Sequence, residues 1–156
     1  CVTDKSLLNF KWIGYILSSI PNARIINITR NPNAVCWSIF KHFFNGSEHN
    51  YAYCLNNIKS FYQLYLRYMD FWNKKFSKNI FNLSYESLTQ NQRAETHKLL
   101  NYLELNWEER CFDFHKNSRL VETASAAQIR KKIYTNSSKE WEKFKPHLKD
   151  KLNFIF

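Results

Sequence analysis

Two short runs constrain this chain more than any other feature. Arg24-Ile25-Ile26-Asn27-Ile28-Thr29 and Ile80-Phe81-Asn82-Leu83-Ser84-Tyr85 are apolar enough to be buried strands, and the first is rich in β-branched residues. Helical stretches lie between them. Strands separated by helices pair in parallel, because the crossover needs a dozen or more residues, and they sit in a sheet covered on its faces. Two parallel strands leave too many unpaired edges to be self-sufficient. Cys1-Val2-Thr3 is a candidate stub of a third strand, and further strands are expected upstream. The expectation is therefore an α/β architecture, with a short parallel sheet flanked by helices and mostly helical content. Residues 1–156 would form one incomplete domain. The single methionine, Met69, is internal, which agrees with a piece of a longer polypeptide.

The spacing of Leu7, Leu8, Phe10, Ile13, Ile16, Leu17 and Ile20 predicts a helix over 7–20, with Ser6 as its cap and Pro21-Asn22 as its stop. Pro32 suits the first turn of a second helix over 32–44, with Asn31 as cap. A long amphipathic helix is predicted over 50–76, its stripe formed by Leu55, Ile58, Phe61, Tyr62, Tyr65, Met69 and Trp72, which reads as core packing. Further helices are predicted over 91–103, 107–114 and 139–152, with an irregular polar stretch over 116–138.

Charge narrows the partners. The chain carries 23 Lys+Arg against 13 Asp+Glu, a formal +10. Such a surface attracts nucleic acid, an anionic membrane, or small phosphorylated or sulfated ligands; a solvated lysine-rich surface is the plainer reading. A hydrophobic fraction of 44% argues against a disordered polycation, and no apolar run reaches the ~20 residues of a membrane span. Cys1, Cys36, Cys54 and Cys111 show no C-x-x-C and no short pairing with histidine. No structural zinc site is expected, and reduced thiols in a cytoplasmic setting are. Cys36, within Ala34-Val35-Cys36-Trp37, is expected to be a small buried residue.

The turn from the first strand into the second helix is the most informative stretch. Arg30 leaves the carboxyl end of a strand, where open α/β sheets bind ligands. The following helix points its N-terminus at the same crevice, which favours an anion. Ser38 lies about 7–8 Å further along that helix at 1.5 Å per residue, so Arg30 and Ser38 can grip one phosphate from two sides. A surface arginine and an ordinary helix serine are the alternative. A second cluster, Thr123-Ala124-Ser125-Ala126-Ala127-Gln128-Ile129-Arg130-Lys131-Lys132, combines small residues with a basic run. Lys5 is a third cation beside a possible strand end.

Together these residues resemble a family. Thr3-Asp4-Lys5, Pro21-Asn22-Ala23-Arg24 through Arg30-Asn31-Pro32 with Ser38, Tyr85-Glu86-Ser87-Leu88, and Ser125-x-x-Gln128-Ile129-Arg130 follow one another as in sulfotransferases that use 3′-phosphoadenosine 5′-phosphosulfate (PAPS). The pattern is most similar to bacterial tetratricopeptide-repeat-type and protein-tyrosine-sulfotransferase-like members. Ile133-Tyr134-Thr135, Trp141 and Pro146-His147-Leu148 extend it. The resemblance implies a P-loop-like sulfotransferase fold, of which this is the carboxyl-terminal part. It implies that Arg30 and Ser38 hold the 3′-phosphate, that Lys5 and Ser125 face the transferred sulfuryl group, and that Tyr85, Gln128, Ile129, Arg130 and Lys131 line the nucleotide site. PAPS would be the cosubstrate, with no metal, and the acceptor a hydroxyl on a peptide, a sugar or a small molecule. No membrane partner is implied, and nucleic acid is not expected.

The departures are specific. The family's phosphosulfate loop contains a Gly-Thr element, whereas the only glycines here are Gly14 and Gly46, neither in such a setting. The family's general base lies upstream, so the fragment on its own is expected to be inactive. Glu140 stands beside Lys139 where the family carries a basic residue before the tryptophan. Two other classes compete with the enzyme reading: a basic helical nucleic-acid-binding module, and a noncatalytic interaction domain.

Overall fold

A computed structural model of the chain describes residues 2–44, 46–116 and 130–148. Ile25–Thr29 (β1) and Ile80–Ser84 (β2) pair in parallel, in register from Ile25 opposite Ile80 to Thr29 opposite Ser84. They form a two-stranded sheet, and no third strand joins it among the described residues. At Val2 and Thr3 the expected stub is not a strand: Val2 is 98% exposed, and neither residue has regular structure.

Six α-helices surround the pair among the described residues: Ile13–Ser19 (α1), Pro32–Phe40 (α2), Leu55–Lys75 (α3), Tyr85–Gln90 (α4), Gln92–Tyr102 (α5) and Lys145–Leu148 (α6). Most follow the periodicity, with shifts that have local causes. The predicted first helix splits into a 3-10 turn, Asn9–Lys11, and α1, because Trp12 leaves helical dihedrals; Ser6 accepts from the Leu8 N–H and shapes a turn instead of capping α1. The predicted 50–76 helix likewise divides at Cys54, which is extended, into a 3-10 stretch Ser47–Tyr53 and α3. Residues 107–114 form 3-10 turns at Glu109–Phe112 and Phe114–Lys116 rather than an α-helix. At the far end, Asn136–Phe144 is 3-10, and α6 begins just before Pro146, a residue that fits a first turn but not a helix interior. The rest of the predicted 139–152 helix, beyond residue 148, lies outside the described residues.

Two apolar clusters hold these elements. One joins Phe10, Ile13, Leu17, Met69 and Ile80, so that α1, α3 and β2 share a core. The other joins Cys36, Ile58 and Leu148, tying α2 to α3 and to α6. Cys36 is fully buried as expected, and burial pushes its thiol up to about 12. The sheet face toward α3 carries a polar seam: Asn27 donates to Asn82 at 2.8 Å, the Tyr65 hydroxyl donates to Asn27 at 2.9 Å, and Asn82 donates to Asn73 at 2.9 Å. On the opposite face Phe81 stacks on Tyr102 of α5. Beside it, β1 is bare: Ile26 is 40% and Ile28 57% exposed.

Candidate functional site

The carboxyl ends of β1 and β2 open side by side, and each strand runs directly into a helix. Arg30 follows β1. Asn31 then caps α2, its side-chain oxygen accepting from the Ala34 N–H at 3.1 Å, with Pro32 in the first turn where its missing N–H costs nothing. Ser84 ends β2 and caps α4 by accepting from the Ser87 N–H at 3.2 Å. Tyr85 and Glu86 therefore emerge next to Arg30 and Asn31.

A third element closes the site from more than a hundred positions away. Arg30 donates from Nε to the Ser138 hydroxyl at 3.1 Å and from a terminal nitrogen to the Ser137 carbonyl at 2.5 Å. Its guanidinium stacks over the Tyr85 ring, 4.9 Å from the centroid, and the Tyr85 hydroxyl is hydrogen-bonded to Ser137 Oγ at 2.8 Å. Ser138 passes the connection on, donating to Glu86 at 2.5 Å, and the same carboxylate oxygen accepts from the Asn31 N–H at 2.9 Å. Burial works against the Glu86 charge, but these hydrogen bonds and the nearby Arg30 outweigh it and hold the carboxyl below its ordinary value.

Arg30 lines two different spaces. On one side lies a cavity of about 80 Å³ lined by Arg30, Ser38, Tyr85, Lys41, Ser137 and Trp141, with Tyr134 and Glu140 at its wall. Ala34, Trp37, Ser38 and Lys41 reach it from one face of α2, as i, i+3, i+4, i+7 spacing requires. Lys41 pairs with Glu140 at 3.6 Å. Burial, with the Glu140 charge in second place, raises the Tyr134 phenol above its ordinary value. Among the described residues Arg30 keeps one terminal nitrogen free of partners. On the other side lies an apolar groove of about 770 Å³ that runs along β1, walled by α1 and α3, with Lys5 among its few charged residues.

The structure thus brings three of the sequence-predicted residues, Arg30, Ser38 and Tyr85, around one cavity. Lys5 is exposed and sits along the groove that shares Arg30. Arg130 and Lys131 are exposed and line neither cavity. Ser125, Gln128 and Ile129 lie outside the described residues. Sequence reasoning assigned no role to Glu86, Lys41, Ser137 or Ser138. Glu86 had a local signal, since it follows the strand cap Ser84 inside the Tyr85-Glu86 pair; Ser137 and Ser138 had none, because their partners are distant in the chain. No group of three His, Cys, Asp or Glu among the described residues is placed to hold a metal ion, and no helix there is long and apolar enough to cross a membrane.

Comparison with known proteins bears on the family. The model of the Sulfotransferase family matches residues 1–109. An uncharacterized protein of Aquifex aeolicus (strain VF5) is 33% identical over 150 residues, which is 94% of this chain and 20% of that relative. The chain therefore spans about one fifth of the length of the curated relative it matches.

Proposed function

Because the chain belongs to the sulfotransferase family, we propose that its parent protein moves a sulfuryl group from PAPS to a hydroxyl acceptor, and that the Arg30 cavity receives the 3′-phosphate of the nucleotide. The observation that carries this reading is the convergence of Arg30, Ser38 and Tyr85 on one cavity at the carboxyl end of β1. The amino terminus of α2 faces that end of the sheet, where exposed N–H groups and the helix dipole favour negative charge. Arg30 adds a cation, held in place by Ser137, Ser138 and Tyr85.

In this reading Lys5, along the groove that Arg30 shares, stands on the side where sulfuryl oxygens gain charge. Sulfuryl transfer, like phosphoryl transfer, depends on in-line positioning and on cations around the moving group. Ser125 would face the same group, and Gln128, Ile129, Arg130 and Lys131 would complete the nucleotide site. The acceptor is a peptide, sugar or small-molecule hydroxyl.

The groove along β1 belongs to the same reading. All eight consecutive residues from Ala23 to Arg30 line it, and Ile26 and Ile28 are bare beside it. We infer that residues 1–156 are part of one sulfotransferase domain whose sheet continues past β1 with a strand from the remaining polypeptide. The length of the Aquifex relative leaves ample chain for it.

The test is a titration of the chain with adenosine 3′,5′-bisphosphate, followed by thermal shift and calorimetry. Saturable stabilisation that Arg30→Ala abolishes is the expected result. No stabilisation at millimolar nucleotide would defeat the assignment of the cavity.

A further inference from the structure

The indole of Trp141 has a buried donor with no partner among the described residues. Trp141 is only 9% exposed, and its Nε1–H has no hydrogen-bond partner among the described residues. Indole nitrogen can only donate, and leaving such a group buried and unpaired costs about 1–3 kcal/mol. Native structures pair the great majority of buried polar atoms. The other unpaired buried side-chain atoms, in Asn33, His49, Tyr102 and His115, belong to residues that do not line the Arg30 cavity; Trp141 does.

The surroundings define what would satisfy it. The cavity's charged lining is Arg30, Lys41 and Glu140, two cations against one carboxylate, and that carboxylate is already paired with Lys41. Its neutral polar lining is hydroxyl groups of Ser38, Tyr85, Tyr134 and Ser137. The two cations can only donate, the hydroxyls both donate and accept, and none of these oxygens accepts from the indole, which leaves its N–H open to an acceptor brought by a ligand. At about 80 Å³ the space exceeds one water's share of liquid volume, ~30 Å³.

We infer that Trp141 is a ligand-binding residue: its Nε1–H donates to an oxygen of the anion held by Arg30 and Ser38. The inference rests on the reading of this cavity as a phosphate site and adds to it a donor carried by the 136–144 segment. That segment is already fastened to Arg30 through Ser137 and Ser138, and its Phe144 ring lies 4.5 Å from that of Trp37. The donor is therefore held in place before the anion arrives, which keeps the ordering cost of binding low.

The probe is adenosine 3′,5′-bisphosphate. Trp141→Phe keeps an aromatic ring but deletes the N–H together with part of the indole. It is expected to lower the ligand-free melting temperature modestly, because the smaller ring leaves a void, and to weaken nucleotide binding about tenfold or more. A merely structural tryptophan would lose stability and keep its affinity. Binding within twofold of the parent, while Arg30→Ala has lost it, would overturn the inference and leave the phosphate site standing. Absence of binding by the parent would overturn both. A second measurement does not depend on the variant folding. The chain has five tryptophans, so ¹⁵N-labelled protein gives five indole N–H signals, assignable by Trp→Phe exchange at Trp12, Trp37, Trp72 and Trp107. The Trp141 signal is expected to move on saturation and to become protected from exchange with water; an unmoved signal sinks the proposal.

Discussion

The Arg30 guanidinium and the Ser138 hydroxyl are 108 positions apart and share a hydrogen bond of 3.1 Å. Ser138 in turn donates to Glu86, so one hydroxyl joins the end of β1, the start of α4 and the 136–144 segment. Ser138→Ala leaves a half-buried cation and a half-buried carboxylate each short of a partner. The expected cost is about 1–3 kcal/mol in urea unfolding, with weaker nucleotide binding because Arg30 is no longer held. Ser138→Thr, which keeps the hydroxyl, should recover most of both. An alanine variant as stable as the parent would mean that the hydroxyl link is not what docks the segment.

Glu86 gives the fold an acid dependence. Its carboxyl titrates below its ordinary 4.5 in the folded chain, so the unfolded chain takes up the proton first. The stabilisation is fully present above the unfolded value and is lost as pH falls through the folded one. Stability measured by denaturant from pH 6 downward should decline as pH falls below about 5. Glu86→Gln should be less stable at pH 7 and show a shallower decline. Parallel curves for the two proteins would remove Glu86 from the account.

Gly14 lies inside α1, where alanine is ordinarily the better helix former by about 1 kcal/mol. Here the sign reverses. A Cβ at Gly14 would come within 2.7 Å of the Trp72 ring, and that ring is pinned by a 2.8 Å hydrogen bond from its Nε1–H to the Phe10 carbonyl. Gly14→Ala should therefore destabilise by about 1–3 kcal/mol. A gain in melting temperature would show that Trp72 can shift at little cost.

The bare strand face makes a comparison between two lengths of polypeptide informative. Ile28 is 57% exposed in this chain, so Ile28→Thr should change its stability by less than about 0.5 kcal/mol. In a longer polypeptide that supplies the neighbouring strand, the same substitution should cost about 1–3 kcal/mol, as burial of the side chain predicts. Equal costs in both would argue against a strand in the groove.

Much of this was legible along the chain. The β-branched run fixed β1, alternating helices fixed the parallel pairing, and the Ala34-to-Trp37 apolar run placed Cys36 in the core. Asn31 and Pro32 announced the start of α2 because capping chemistry is local. The breaks at Trp12 and Cys54 were not legible, since the apolar spacing runs through both and only backbone dihedrals mark them.

The candidate site divides along the same line. Arg30 and Ser38 could be named from sequence, because one leaves a strand end and the other lies at a fixed offset along the following helix, and such offsets are set by backbone geometry; Tyr85 was named only through the family resemblance. Their partners could not. Ser137 and Ser138 reach the site only because the 136–144 segment folds back against α2 and the strand ends, and the polar pairing that selects them acts across a hundred residues; Trp141, which the sequence offered only within the family resemblance, arrives with them. Sequence by itself determined which elements form and which residues leave the strand ends; only the tertiary structure decided what closes over them, because short-range spacing carries no record of contacts made between distant parts of the chain.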